Sequence, residues 1–277
     1  MHPNSLVNGV PADAIAISDR GLHYGDGLFE TLAVRDGRCE FWDRHMQRLH
    51  AGCERLRIPP PDPVQLAAEA QQLTQTVERC VLKIIITRGS GGRGYRVPES
   101  IQTTRILLRT DWPEYPHETA ERGVRVRLCT QRLGTNPSLA GMKHLNRLEQ
   151  VLARMEWDDP GIAEGLLQDH TGHVIEGTYT NLFVVQNGKL ITPALDRCGV
   201  TGVMRAVVLE LASAAGIDCT ECSVSLDKLY AADELFLTNS LIGIWPVREL
   251  EHWQENWRTV PGPVTRRWQA ELQQVRI

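Results

Sequence analysis

No stretch of this 277-residue chain approaches the roughly 18 consecutive apolar residues that a membrane-crossing helix needs. Basic residues are not in excess either. Thirty Lys and Arg face 34 Asp and Glu, a formal net charge of -4, which argues against the basic surface that general nucleic-acid binding requires. The opening residues Met1-His2-Pro3-Asn4-Ser5 lack a basic segment followed by an apolar core, so no secretory signal is expected and the chain is read as cytoplasmic. Cys219-x-x-Cys222 has no second pair to complete a zinc site, and seven scattered cysteines suit reduced thiols. The glycine-rich run Arg88–Arg96 is not followed by Gly-Lys-Ser/Thr, which excludes a Walker A loop. No helical pattern follows it, which excludes a dinucleotide fingerprint. Internal repeats and low-complexity segments are absent.

With 42% hydrophobic and 23% charged residues, the chain has the profile of a globular protein long enough for two domains. Residues 111–122 carry two prolines, no periodicity and high polarity. They read as a linker between an N-terminal α/β domain, 1–110, and a C-terminal domain, 123–277. In the first domain Asn8-Gly9 signals a turn before Ile15-Ala16-Ile17, and Asp36-Gly37 joins two extended runs, Phe29–Val34 and Arg38–Phe41, in a hairpin. Asp43 is expected to cap a helix running to Arg57, with Arg44 in its first turn; a cation there is unfavourable unless it meets an anion. Asp62-Pro63-Val64-Gln65 carries the cap and proline of a second helix start. A β-branched strand, Val81–Arg88, then leads into the loop Arg88–Arg96, with four glycines and three arginines in nine residues. Guanidinium groups on such a loop could close on carboxylates; a solvated basic loop is the plain alternative.

The second domain opens on the alternating strand Val124–Leu128 and contains hairpins at Thr171-Gly172 and Asn187-Gly188. Gly199-Val200-Thr201-Gly202 precedes a helix, so backbone N–H groups collect there as an anion site. Leu235–Thr238 is a strand ending in Asn239 and Ser240. The stretch from Gly134 to Leu152 begins with breakers and closes as a helix whose apolar face is Leu148, Val151, Leu152 and Met155. Lys143 lies just before that helix. Repulsion by the helix dipole and apolar walls would both favour a neutral amine, able to condense with an aldehyde as a Schiff base.

Taken together, Ser18-Asp19-Arg20, Gly25-Asp26-Gly27-Leu28-Phe29-Glu30-Thr31, Arg44-His45-Met46-Gln47-Arg48-Leu49, Glu176-Gly177, Asn181-Leu182-Phe183, Gly199–Gly202 and Thr238-Asn239-Ser240 resemble the fold-type IV pyridoxal-phosphate enzymes. That family includes branched-chain and D-amino-acid aminotransferases and 4-amino-4-deoxychorismate lyase. Two longer strings, Arg88–Tyr95 and Leu139–Leu152, look like the lyase. The resemblance implies an α+β two-domain fold with antiparallel-rich sheets or a barrel in the larger C-terminal domain, and pyridoxal 5'-phosphate as cofactor. It implies Lys143 as the Schiff-base lysine, Glu176 facing the pyridine nitrogen, and Arg44, the Val200 and Thr201 backbone, Asn239 and Ser240 around the phosphate. Arg93, with Arg88, Tyr95 and Phe29, would meet substrate. Leu148 stands where branched-chain aminotransferases place a tyrosine, a departure that fits the lyase better. The implied reaction is conversion of 4-amino-4-deoxychorismate to 4-aminobenzoate and pyruvate in folate synthesis, by a homodimer. An aminotransferase is the runner-up, separable by whether an amino donor drives the cofactor to its amine form.

Overall fold

The computed structural model describes residues 4–116, 118–251 and 257–275. The chain divides into two compact units. One takes the residues up to Pro113 together with Met142–Asn146, and the other takes Glu114–Gly141 and the chain from Arg147 on. Met142–Asn146, expected in the C-terminal domain, therefore belongs with the first unit.

The first unit runs β1 (Ser5–Val7), β2 (Val10–Pro11), α1 (Arg20–Tyr24), β3 (Gly27–Arg35), β4 (Arg38–Cys39), α2 (Trp42–Leu56), α3 (Pro63–Thr74), β5 (Arg79–Thr87) and β6 (Thr104–Asp111). Its strands form one antiparallel sheet in the order β2-β1-β6-β5-β3-β4. Asn8-Gly9 and Asp36-Gly37 take the positive φ angles that tight hairpin turns demand. Ile15–Ile17, by contrast, is irregular. Asp62 caps α3 by accepting the Val64 and Gln65 N–H groups. Asp43 does not cap α2; Phe41 holds that position in the left-handed region and Asp43 lies inside the first turn, where its charge still favours the dipole. Along β3, Leu28, Glu30, Leu32 and Val34 are buried while Phe29 and Thr31 on the alternate face are half-buried. Gly52 lets Leu28 close onto α2: a Cβ there would stand 2.8 Å from the Leu28 side chain.

The second unit runs α4 (Thr119–Arg122), β7 (Val124–Leu133), α5 (Leu148–Arg154), β8 (Ile162–Asp169), β9 (Val174–Gly177), β10 (Asn181–Gln186), β11 (Lys189–Pro193), α6 (Val203–Ala214), β12 (Cys219–Cys222), α7 (Leu226–Tyr230), β13 (Glu234–Asn239), β14 (Gly243–Glu251), β15 (Trp257–Arg258) and α8 (Pro263–Val275). The strand order is β12-β11-β10-β13-β14-β7-β8-β9, with β15 on β14. Most neighbours are antiparallel; β11–β12, β14–β7 and β7–β8 are parallel. Val174 in β9 bridges Val224, two residues past β12, so the two ends of the sheet order meet and the sheet curls on itself. Its interior is filled by Val126, Leu166, Leu182, Val184, Leu235, Leu237 and Trp245.

Helix α5 reverses one expectation. Leu148 and Met155 are 75% and 72% exposed, and Val151 and Leu152 are about half exposed, whereas Gln150 and Ala153 are buried. Periodicity marked an apolar face correctly but not the side on which the unit's own core lies.

Candidate active site

In the first unit, Met142–Asn146 lies extended beside the start of β3. The Phe29 N–H donates to the Lys143 carbonyl (2.9 Å), and the Leu145 N–H donates to the Gly27 carbonyl (3.0 Å). Gly27 is required at that crossing, since a Cβ would stand 2.4 Å from the Ile86 carbonyl. Lys143 is thus held by strand-like pairing rather than at a helix start. Its half-buried amine sits 4.4 Å from the centre of the Phe29 ring.

On the opposite face of β3, Glu30 is fully buried between two residues of α2. Its carboxylate accepts from His45 Nδ1 (2.6 Å) and from Arg48 Nε (2.8 Å) and Nη2. Burial pushes the Glu30 carboxyl up, but the Arg48 charge and the His45 and Arg48 hydrogen bonds outweigh it and hold it down at about 2. His45 moves below its ordinary value because burial, with the Arg48 and Lys143 charges, outweighs the pull of Glu30. A neutral His45 facing an ionised Glu30 must carry its proton on Nδ1. Arg44 occupies the first turn of α2, as expected, half-buried. Arg48, one turn further along, escaped the sequence reading although it belongs to the same motif string. Its partner Glu30 is 18 residues away, beyond the reach of local patterning.

The loop Arg88–Arg96 distributes its arginines unequally. Arg88, expected to bind substrate, is 5% exposed. It gives Nε and Nη2 to Asp26 (2.8 and 3.0 Å) and donates to the carbonyls of Leu56 and Arg57. That guanidinium clamps the fold and is withdrawn from the substrate set. Arg96 makes an exposed ion pair with Glu99 at 3.6 Å. Arg93 is exposed, and among the described residues no carboxylate or carbonyl meets its guanidinium. Tyr95 is exposed, its ring edge-on to Tyr24 at 5.3 Å.

In the second unit, Glu176 of β9 is 4% exposed, and its Oε2 accepts the Val200 N–H at 2.8 Å. Arg147 lies within its field. Burial lowers the Arg147 pKa, and the Glu176 and Glu149 charges oppose that. The residues leading into Lys143 are zipped to the turn before α6: Gly141 N–H donates to Gly199 O (2.9 Å), and the Thr201 N–H and Oγ1 both donate to Gly141 O (3.0 and 2.9 Å). Gly199 has φ +84°, and a Cβ there would meet Ile175 Cγ2 at 2.9 Å and Glu176 Oε2 at 3.3 Å. Helix α6 begins at Gly202 with no side-chain cap and no acid in its first turn. Asn181 supports the turn by donating to the Val200 carbonyl (2.9 Å). Asn239 stabilises its own turn, accepting from the Leu241 and Ile242 N–H groups and donating to Tyr179 O, and Ser240 beside it is half-buried. Glu164, unremarked in the sequence, is buried beneath the Thr178–Thr180 turn and accepts from Thr178, Tyr179, Thr180 and Gly165.

These residues fit a cofactor with an anionic phosphate and a basic ring nitrogen. In the second unit the buried Glu176 carboxylate beside the half-buried Arg147, a glycine cradle that any Cβ would fill and an uncapped helix start supply the carboxylate and the anion-binding end that such a group needs. Among the described residues no cluster of His, Cys, Asp and Glu could hold a metal, and Cys219 and Cys222 are free thiols on β12.

An enzyme of the aminotransferase type is the class this fold and these donors define. The family model for amino-transferase class IV matches residues 27–250, and the chain belongs to that family. It is 39% identical to aminodeoxychorismate lyase from Vibrio harveyi over 96% of this chain and 98% of the relative. The crystal structure of 4-amino-4-deoxychorismate lyase from Pseudomonas aeruginosa superposes with TM-score 0.92 at 47% identity, covering 98% of each chain. Branched-chain amino acid aminotransferase from Escherichia coli matches with TM-score 0.85 at 26% identity, covering 99% of this chain and 94% of its own.

Proposed function

We propose that the chain is a pyridoxal-phosphate-dependent lyase that converts 4-amino-4-deoxychorismate to 4-aminobenzoate and pyruvate. The observation that carries this is the 47% identity to the Pseudomonas lyase across nearly all of both chains, against 26% to the aminotransferase of the same fold. Lys143 would hold the cofactor covalently, and Glu176 would face the ring nitrogen. Arg44, the uncapped start of α6 and Ser240 beside Asn239 would take the phosphate; the expected Val200 and Thr201 N–H donors are instead committed to Glu176 and the Gly141 carbonyl and would shape the turn around it. The preorganised Arg48 is a second guanidinium for that role. When bound, the cofactor supplies a cationic conjugated ring that accepts electrons from the carbon bearing the substrate nitrogen.

Once displaced by the substrate amine, the Lys143 amine would take the proton from substrate C4. The bond between C3 and the enolpyruvyl oxygen then breaks, the leaving group departs as the enol form of pyruvate, and the six-membered ring becomes aromatic. The lysine ammonium would hand the abstracted proton to the departing enolpyruvyl oxygen, which makes the enol and returns the amine to its neutral form. The Phe29 ring flanks that amine and limits the water reaching it. The substrate carries two carboxylates, and Arg93, without a carboxylate or carbonyl partner among the described residues, is matched to one of them. Tyr95, two residues on, would meet the same substrate.

Two further assignments belong to this reading. The exposed apolar face of α5 supports a homodimer, since a row of four large apolar side chains in water is unusual without a covering surface. Seven free thiols support a reducing, cytoplasmic location. The test is incubation of the purified holoenzyme with 4-amino-4-deoxychorismate. Formation of 4-aminobenzoate and pyruvate in equal amounts is expected. Absence of both, with rapid conversion of the cofactor to its amine form by a branched-chain or D-amino acid, would replace the lyase with an aminotransferase.

A further inference from the structure

We propose that Arg20, seconded by Tyr24, is a positioning residue for substrate recognition, holding the loop Arg88–Arg96 in the one conformation that presents Arg93. The proposal rests on the reading of Arg93 as a carboxylate binder. A nine-residue segment with four glycines has a large backbone entropy, and an arginine carried on it would bind a carboxylate weakly unless the loop were ordered beforehand. Few of the loop's own backbone groups pair with one another; its ties run outward to α1 and the residues before it.

Arg20 is 4% exposed, and both edges of its guanidinium are engaged. Nε donates to Asp26 Oδ2 at 2.8 Å, the same oxygen that accepts Arg88 Nε. Nη1 reaches the Gly94 carbonyl (3.1 Å) and the Arg96 carbonyl (3.5 Å), and Nη2 reaches the Tyr95 carbonyl (3.4 Å). Three consecutive loop carbonyls thus converge on one buried cation, directly after Arg93. The Tyr24 hydroxyl accepts the Gly94 N–H at 3.2 Å, and its ring lies under the Arg20 guanidinium at 4.9 Å and against Tyr95. On the other side of Arg93, Gly91 N–H donates to Ser18 O and Ser90 bridges Asp19. Gly91 is needed there because a Cβ would stand 2.9 Å from the Arg20 side chain. Gly94 has φ +88°, which turns its carbonyl toward Arg20. The loop is pinned on both flanks of Arg93, whose guanidinium meets no carboxylate or carbonyl among the described residues.

The experiment compares Arg20→Lys, Tyr24→Phe, Arg93→Ala and the double variant Arg20→Lys/Arg93→Ala as holoenzymes. Lysine keeps the charge at Asp26 but lacks the fork that spans three carbonyls. Arg20→Lys should raise KM roughly tenfold or more and Tyr24→Phe roughly two- to tenfold, as expected for one or more lost hydrogen bonds. In both, kcat and the bound-cofactor absorbance should hold. Limited trypsin digestion should cleave after Arg93 and Arg96 faster in both. In the Arg93→Ala background, Arg20→Lys should add nothing to KM. Additive KM losses, or unchanged KM and unchanged digestion in both Arg20→Lys and Tyr24→Phe, would overturn the proposal. If Arg93→Ala itself leaves KM unaltered, the carboxylate-binding reading of that residue fails, and faster digestion would still uphold the ordering of the loop by Arg20. Should Arg20→Lys not fold, Tyr24→Phe carries both readouts.

Discussion

Replacing Glu30 by glutamine tests the buried charge cluster beneath Phe29 and Lys143. The carboxyl sits at about 2 in the folded protein against an ordinary value of 4.5, a difference that corresponds to about 3 kcal/mol of preference for the ionised form. The sign follows directly. A depressed carboxyl adds stability that is fully present above the unfolded value and is lost as pH falls from 4.5 toward 2. His45, also depressed, acts in the same direction from its ordinary 6.5 downward, because the unfolded chain takes up that proton first. Glutamine keeps the shape but turns an amide NH₂ toward donors and leaves Arg48 buried without its anion. Breaking a buried pair in this way costs about 3–5 kcal/mol. At about 2–4 °C per kcal/mol, the melting temperature should fall on the order of 10 °C at pH 7. Urea denaturation followed by circular dichroism, at pH 7 and at pH 3, gives the comparison. The native chain should lose stability across that interval and the variant should lose distinctly less. A variant within 1 kcal/mol of the native chain at pH 7, or with an identical pH dependence, would refute the reasoning.

Other outcomes follow from the same geometry. Arg88→Ala should destabilise the fold by about 2–3 kcal/mol in denaturant melts, by removing one of the two cations on Asp26 and leaving the Leu56 and Arg57 carbonyls without their donor, whereas Arg93→Ala should leave stability within about 0.5 kcal/mol and act on KM alone. Gly199→Ala combines a positive φ with a Cβ 2.8 Å from Leu195, so it should lower cofactor affinity by displacing Glu176, read from titration of the bound-cofactor absorbance. Val151→Glu places a charge in the exposed α5 face and should shift sedimentation from dimer to monomer; a monomeric native chain would remove the dimer assignment.

The signals legible in the sequence were the local ones. Asp36-Gly37, Asn187-Gly188 and Asp62-Pro63 each settle a turn or a helix start within four residues, and all three do so in the structure. The turn at Gly199–Gly202 was readable for the same reason. What escaped depends on partners distant in sequence. No pattern shows that Arg88 is clamped by Asp26, 62 residues away, while Arg93 meets no such partner among the described residues. The Glu30–His45–Arg48 cluster joins residues 15 and 18 apart across a strand and a helix. Strand β14 has no clear local signal, since Pro246 sits within it and a proline normally argues against a paired strand. The face of α5 shows the limit of periodicity: it reports that one side is apolar and not what covers it.

The central claim is that the Lys143 amine joins the cofactor. Borohydride reduction of the holoenzyme followed by mass spectrometry of its peptides tests it most directly. The reduced cofactor should be found on the peptide containing Lys143 and nowhere else, and Lys143→Ala should carry none and form no 4-aminobenzoate. Label on another lysine such as Lys83, or turnover retained without Lys143, would contradict the account.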